Sequence, residues 1–236
     1  MNGVGVKACL NGARTREEHD AVPQSAAELA QDTAAAERAG AFAVHVHPRD
    51  ASGRQTLAAP ACDAAVAAIR AAAPRLPVGL STAAAIDRDP FARAAAIATW
   101  RSAPDFVSVN VGEVGWAGIV RAALHAGIGV EAGLSSPEDA LELAHSPFAH
   151  RIVRALIEVD GGVQEARALA ELIPDGVTQL WHGYGERTWE VIAAGAAAGH
   201  DVRVGLEDVL VLPDGRAAAG NAELVANAVA LVGGGG

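Results

Sequence analysis

Eight short runs rich in valine, isoleucine and leucine alternate with eight alanine-rich runs of helical character along the 236 residues. The strand-like runs fall at residues 4–10, 41–47, 76–80, 106–110, 127–131, 151–159, 178–181 and 202–206. Helix signals separate them. Ser25 with Glu28 three residues later forms a capping box, and Gly40 closes the helix that follows. Asp89-Pro90 opens another helix, and Ser136-Pro137-Glu138-Asp139 a third. Strand followed by helix, eight times over, predicts an α/β protein folded as a (β/α)8 TIM barrel, with residues 1–236 as one domain. A doubly wound open sheet is the alternative. It would carry a glycine-rich fingerprint after the first strand, and Leu10-Asn11-Gly12-Ala13 does not supply one.

Composition narrows the class. A hydrophobic content of 51% supports one sizeable core, and a net charge of -10 argues against nucleic acid as a partner. Cys9 and Cys62 stand in no metal or redox spacing, so a reducing, cytoplasmic setting is expected. No long apolar run suggests a membrane span or a signal peptide. Glycines 233–236 read as a frayed tail.

A barrel gathers the C-terminal ends of its strands at one mouth, and here those ends are polar. In Ala41–Asp50, Val44 and Val46 face one way and His45 and His47 the other, until Pro48 stops the strand. Two imidazoles on one strand face, roughly 6 to 7 Å apart along the backbone, can converge on one ion. Glu207 is the best third ligand, because closure places the last strand beside the first and near the second. Two histidines and a carboxylate favour zinc, and other divalent metals fit the same donors. Arg203 faces inward on the last strand and needs an acidic partner, for which Glu131 and Glu158 are candidates. Gly205 would leave room beside it for a ligand. Asp208 is a candidate general base or a support for the metal site. Ser81, Thr82, Ser108 and Asn110 end the third and fourth strands with groups suited to a carboxylate or carbonyl. Arg14, just beyond the first strand, is either a reader of an anionic substrate tail or a solvated loop residue.

Taken together, Asn11-Gly12-Ala13, His45-x-His47-x-Arg49-Asp50 with Gly53-Arg54, Ser108-Val109-Asn110, Gly129-Val130-Glu131 and Arg203-Val204-Gly205-Leu206-Glu207-Asp208 resemble the beta-keto acid cleavage enzymes, the family typified by 3-keto-5-aminohexanoate cleavage. The resemblance implies a zinc-dependent barrel that converts a beta-keto acid and acetyl-CoA into acetoacetate and a new acyl-CoA. It implies metal ligation by His45, His47 and Glu207, and Asp208 as the base. It further implies that Arg203, oriented by Glu131, assists the oxyanion chemistry, while Ser81 or Thr82, Ser108 and Asn110 hold substrate. It also implies a homo-oligomer, such as a tetramer. Two departures stand out. The chain is shorter than the family pattern around residues 115–151, and Arg14 occupies the place of an acidic residue that reads the substrate amine, which favours an anionic side chain. A metal-dependent barrel aldolase, lyase or hydrolase that never uses CoA is the competing function.

Overall fold

In the computed structural model, which describes residues 3–234, the eight strands are β1 (Val6–Cys9), β2 (Ala41–Val46), β3 (Val78–Ser81), β4 (Phe106–Asn110), β5 (Gly129–Leu134), β6 (Arg154–Val159), β7 (Gln179–Gly183) and β8 (Asp201–Val204). Each is followed by a helix: α1 (Ala26–Arg38), α2 (Ala59–Ala72), α3 (Pro90–Ile97), α4 (Trp116–His125), α5 (Pro137–His145), α6 (Val163–Ala170), α7 (Thr188–Ala197) and α8 (Asn221–Gly233). The strands pair in parallel in sequence order, and β8 closes on β1. This is the TIM barrel, and closure removes the open-sheet alternative. Residues 235 and 236 of the glycine run lie outside the described residues, while Gly233 is the last residue of α8.

Local signals explain most boundaries. Ser25 and Glu28 make both halves of the capping box on α1, and Asp89 caps α3 ahead of Pro90. Two departures from the expected strand ends bear on the site. The fifth strand was expected to end at Glu131, but Ala132, Gly133 and Leu134 continue it. Glu131 therefore sits mid-strand, inside the barrel and below the mouth. The eighth ends at Val204, and a turn carries Glu207 and Asp208 back over the opening. Gly205 makes room for backbone, since a Cβ there would fall 1.9 Å from the Cys9 carbonyl oxygen. Cys9 and Cys62 are both free and buried.

The barrel interior is partly ionic. Lys7 and Glu131, both fully buried, pair at 2.5 Å. Arg154 reaches Glu131 at 3.2 Å and Asp201 at 3.3 Å, with its guanidinium 4.8 Å from the centre of the Phe42 ring. Gly79 leaves the space that the Phe106 ring fills. Two cations and two carboxylates balance within one layer, which is what lets charge persist where a barrel usually packs branched apolar side chains.

Asn221, the first residue of α8, ties the barrel's closing seam. Its side chain accepts from Leu206 N at 2.7 Å and donates to Leu10 O at 2.8 Å and to Asp32 Oδ2 at 2.6 Å. Burial pushes the Asp32 carboxyl up to about 6, against the opposing hydrogen bond from Asn221. A carboxyl raised in the folded state contributes stability that is present below its unfolded value and lost as pH rises through about 6. Asp32→Asn keeps an acceptor for Asn221 and removes the charge. Its melting temperature relative to the parent chain should climb between pH 4 and pH 7, by the equivalent of about 2 kcal/mol. A difference in melting temperature that does not change with pH would refute this role for Asp32.

Candidate active site

His45, His47 and Glu207 meet at the mouth, with one donor atom from each lying within 4.8 Å of the others. The two Nε2 atoms are 3.0 Å apart, and Glu207 oxygens lie 3.8 Å from His45 Nε2 and 3.6 Å from His47 Nε2. Two nitrogens bound tetrahedrally to one ion at about 2.0–2.1 Å are separated by about 3.3 Å, so the imidazoles are close to ligating geometry. Burial, assisted by His47 and opposed by Glu207, holds His45 well below the usual histidine range, in the neutral form that binds metal. Glu207 Oε2 is buried without a hydrogen-bond partner. A carboxylate whose orphaned oxygen faces His45 and whose other oxygen faces His47 makes with them a donor set that fits a divalent cation.

The surroundings hold these three in place. Asn11 clasps the His47 backbone, accepting from its N–H and donating to its carbonyl, each at 2.9 Å. His47 Nδ1 donates to Gln55 Oε1 at 2.5 Å, which leaves Nε2 as a lone pair toward the site. Arg49 staples the first two loops together by donating to the carbonyls of Gly12, Arg14 and Gly53. Gly12 has a φ of 50°, and a Cβ there would fall 2.4 Å from Glu207 Cγ, so only glycine permits the approach of that carboxylate.

Arg203 is the hub of the charged groups. Its NH2 donates to Asp208 Oδ1 at 2.6 Å and to Glu207 Oε1 at 2.9 Å, and its NH1 lies 3.7 Å from Glu158 Oε1. His182 sits 3.2 Å from Glu158 and 3.9 Å from Asp208. Burial alone would raise Glu207, but Arg203, His47 and His45 outweigh it and hold the carboxylate well below its ordinary range. For Asp208 burial wins over Arg203 and His182, and its carboxyl is raised. Neighbouring carboxylates pushed in opposite directions suit different tasks, one as a ligand and the other as a base.

The expected partner of Arg203 divides accordingly. Glu158 faces it, whereas Glu131 is engaged by Lys7 and Arg154 in the layer below. The lysine in Val6-Lys7-Ala8-Cys9 was the available signal, since a strand that points Lys7 inward must supply it with an acid. Ser81 and Ser108 are buried neighbours in register on β3 and β4. The Thr82 hydroxyl donates to Ser108 O at 2.6 Å, which leaves it only as an acceptor. Asn110 donates to Glu113 at 3.0 Å. Glu113 also accepts from Ala84 N and from the buried Arg93, which in turn donates to Thr82 O. This brace of Arg93 and Glu113 gave no sequence signal. Arg14 pairs with Glu18 on its own loop at 2.7 Å and is about one-third exposed.

A family model described as beta-keto acid cleavage enzyme matches residues 4–159 and 163–236. The 3-keto-5-aminohexanoate cleavage enzyme of Fusobacterium nucleatum subsp. nucleatum is 24% identical over 252 residues, covering 98% of this chain and 92% of that protein. Among solved structures, apo ObcA is similar with a TM-score of 0.68 at 18% identity, over 87% of this chain. The chain spans about 60% of the length of ObcA. The native KDPGal structure is similar with a TM-score of 0.61 at 18% identity, over 98% of this chain and 95% of that one. These two structural likenesses show a shared fold. The family match runs through nearly every strand and loop that builds the mouth, and the chain belongs to the beta-keto acid cleavage enzyme family.

Proposed function

We propose that the chain is a metal-dependent acyltransferase that condenses a 3-oxo acid with acetyl-CoA and releases acetoacetate and a new acyl-CoA. The observation that carries this reading is the convergence of His45, His47 and Glu207 beside Asp208, with both carboxylates held by Arg203. A divalent cation on the first three, zinc by its donor set, would polarise the keto acid carbonyl and lower the cost of forming a carbanion at C2. Asp208 takes the C2 proton. The resulting carbon nucleophile attacks the acetyl thioester, and CoA leaves as a thiolate. That thiolate attacks the original ketone carbon. The bond between this carbon and C2 breaks, the acyl group stays on CoA, and C2 of the departing acetoacetate regains its proton from Asp208. Arg203 donates toward the oxyanions, while Ser81, Ser108 and Asn110 hold the acid. No covalent enzyme intermediate is needed.

An anionic side chain on the substrate is part of this reading. The Arg14 to Glu18 pair is a partly exposed one of the kind worth about 0–1 kcal/mol, so the guanidinium can exchange Glu18 for a substrate carboxylate at little cost. ObcA, whose barrel this chain resembles, forms complexes with oxaloacetate and with a C4-CoA adduct and oxalate, which supports a keto acid and a CoA compound as substrates on this fold. Residues 1–236 acting as one domain, in a cytoplasmic homo-oligomer such as a tetramer, belong to the same proposal. Among the described residues no helix is long and apolar enough to cross a membrane.

The deciding assay supplies a panel of 3-oxo acids with and without acetyl-CoA. Acetoacetate should form only when acetyl-CoA is present, and turnover without it would establish a CoA-independent lyase or aldolase instead. His45→Ala should lose both bound metal and turnover, and full metal occupancy in that variant would remove His45 from the site. Gly12→Ala should displace Glu207 and weaken metal binding about 10- to 100-fold, read by titration of the apoprotein with zinc. Arg14→Glu should raise KM for dicarboxylic 3-oxo acids about 10-fold or more and spare neutral ones, the loss expected for a hydrogen bond to a charged group. An unchanged substrate profile would return Arg14 to the surface.

A further inference from the structure

Four groups from three strand ends close a ring beside the metal ligands. Arg203 NH2 meets Asp208 Oδ1 at 2.6 Å, and Asp208 Oδ1 faces His182 Nδ1 at 3.9 Å. His182 Nε2 faces Glu158 Oε1 at 3.2 Å, and that same oxygen lies 3.7 Å from Arg203 NH1. His182 and Asp208 are fully buried, and the Glu158 side chain is 14% exposed. The chemistry proposed above uses Arg203 and Asp208 and leaves the other two without a task.

We propose that His182 and Glu158 are positioning residues for Asp208, and that Asp208 Oδ2 is the atom that takes the substrate proton. This inference rests on the proposed function for Asp208 acting as a base. Oδ1 is the anchored oxygen, gripped by Arg203 through both NH2 and Nε and flanked by His182. Oδ2 has the single contact with Arg203 Nε at 3.2 Å. His182 Nδ1 is the second nitrogen group near Oδ1, at 3.9 Å, so a hydrogen bond from it would fix that oxygen further and leave Oδ2 to the substrate. Glu158 in turn faces the two groups that reach Asp208. The ring is also built to close. A Cβ on Gly133 would fall 2.7 Å from Asn110 Oδ1 and 3.2 Å from Glu158 Oε2, so glycine there admits Glu158 beside the substrate-holding Asn110. Tyr184 packs nearly perpendicular to His182 with ring centres 5.0 Å apart. Neither nitrogen of His182 completes an aligned hydrogen bond in this structure. That is the state from which a catalytic contact tightens when substrate binds.

The test uses the metal-loaded enzyme and reads exchange of the C2 hydrogens of a 3-oxo acid for deuterium without acetyl-CoA, together with kcat, KM, bound metal and melting temperature. A glutamine amide can reach the place of Nε2, and an asparagine amide that of Nδ1. His182→Gln therefore keeps the Glu158 contact and loses Asp208, whereas His182→Asn does the reverse. His182→Gln and Glu158→Gln should each slow exchange and kcat about 10- to 100-fold. KM, metal content and melting temperature should stay near their parent values. His182→Asn should retain more exchange than His182→Gln, and the double variant His182→Gln with Glu158→Gln should fall no further than the slower single, as residues acting through one unit do. Parent-like exchange in both single variants, losses that multiply in the double, or losses that only follow metal content or melting temperature would overturn the proposal. Parent enzyme that exchanges C2 but ignores acetyl-CoA defeats the CoA half of the proposed function and leaves this inference standing. Parent enzyme that does not accelerate exchange defeats both.

Discussion

One buried guanidinium makes the mouth possible. Arg203 is 2% exposed and serves Glu207, Asp208 and Glu158 together. Without it, three carboxylates would crowd a poorly hydrated opening, and each would drift toward protonation. Burial works against the charge on Arg203, yet Asp208 heads the surrounding groups that outweigh it, and the guanidinium is held well above its ordinary range. The arrangement follows from a short sequence. Arg203 is in β8, Gly205 lets the backbone pass against Cys9 O, and the turn brings positions 207 and 208 back above position 203. An arginine suits this task where a lysine would not, because its planar fork can address several carboxylates at once.

The layer beneath keeps Arg203 available. Lys7 is the register partner of Arg203 on the neighbouring strand, and a shared acid would divide between them. Instead Glu131 serves Lys7 and Arg154, and Asp201 completes that layer. The barrel therefore carries two ionic tiers, a charge-balanced one in its interior and an open one at its mouth, where Arg203 faces three carboxylates. Removing one partner from the interior tier would leave an uncompensated buried charge, which typically costs about 3–5 kcal/mol. Stability and chemistry thus draw on separate sets of ionic contacts, although β6 and β8 contribute to both.

This separation also explains what the sequence disclosed. The barrel was legible because eight alternations of period and eight sets of turn residues agree with one another. The His45, His47 and Glu207 cluster was legible because strand alternation and barrel closure together bring it to one place. Glu131 was misplaced because Ala132 and Gly133 resemble a loop, while pairing across β4 and β6 extends them as strand. Gln55, Asn221 and the Arg93 to Glu113 brace stayed invisible for a different reason. Each acts through individual side-chain hydrogen bonds, and such contacts leave no periodic trace. Thr82 shows the limit from the other side, since its place just past β3 was legible and the hydrogen bond from its hydroxyl to Ser108 O was not.

These contacts divide the mouth into parts that can vary and parts that cannot. Asn11, Gln55 and Gly12 determine where His47 and Glu207 stand, while Arg93 and Glu113 hold the loops that follow Ser81 and Asn110. All of these positions are locked by buried hydrogen bonds or by the absence of a Cβ, which is how a reactive geometry is kept within a fraction of an ångström. Arg14 and Arg54, by contrast, make only exposed pairs at the rim. Replacing a rim arginine alters the charge presented to an incoming side chain and leaves the braced groups untouched. A barrel of this construction can therefore vary the charge at its rim through its outer loops while retaining the same histidines, the same carboxylates and the same guanidinium.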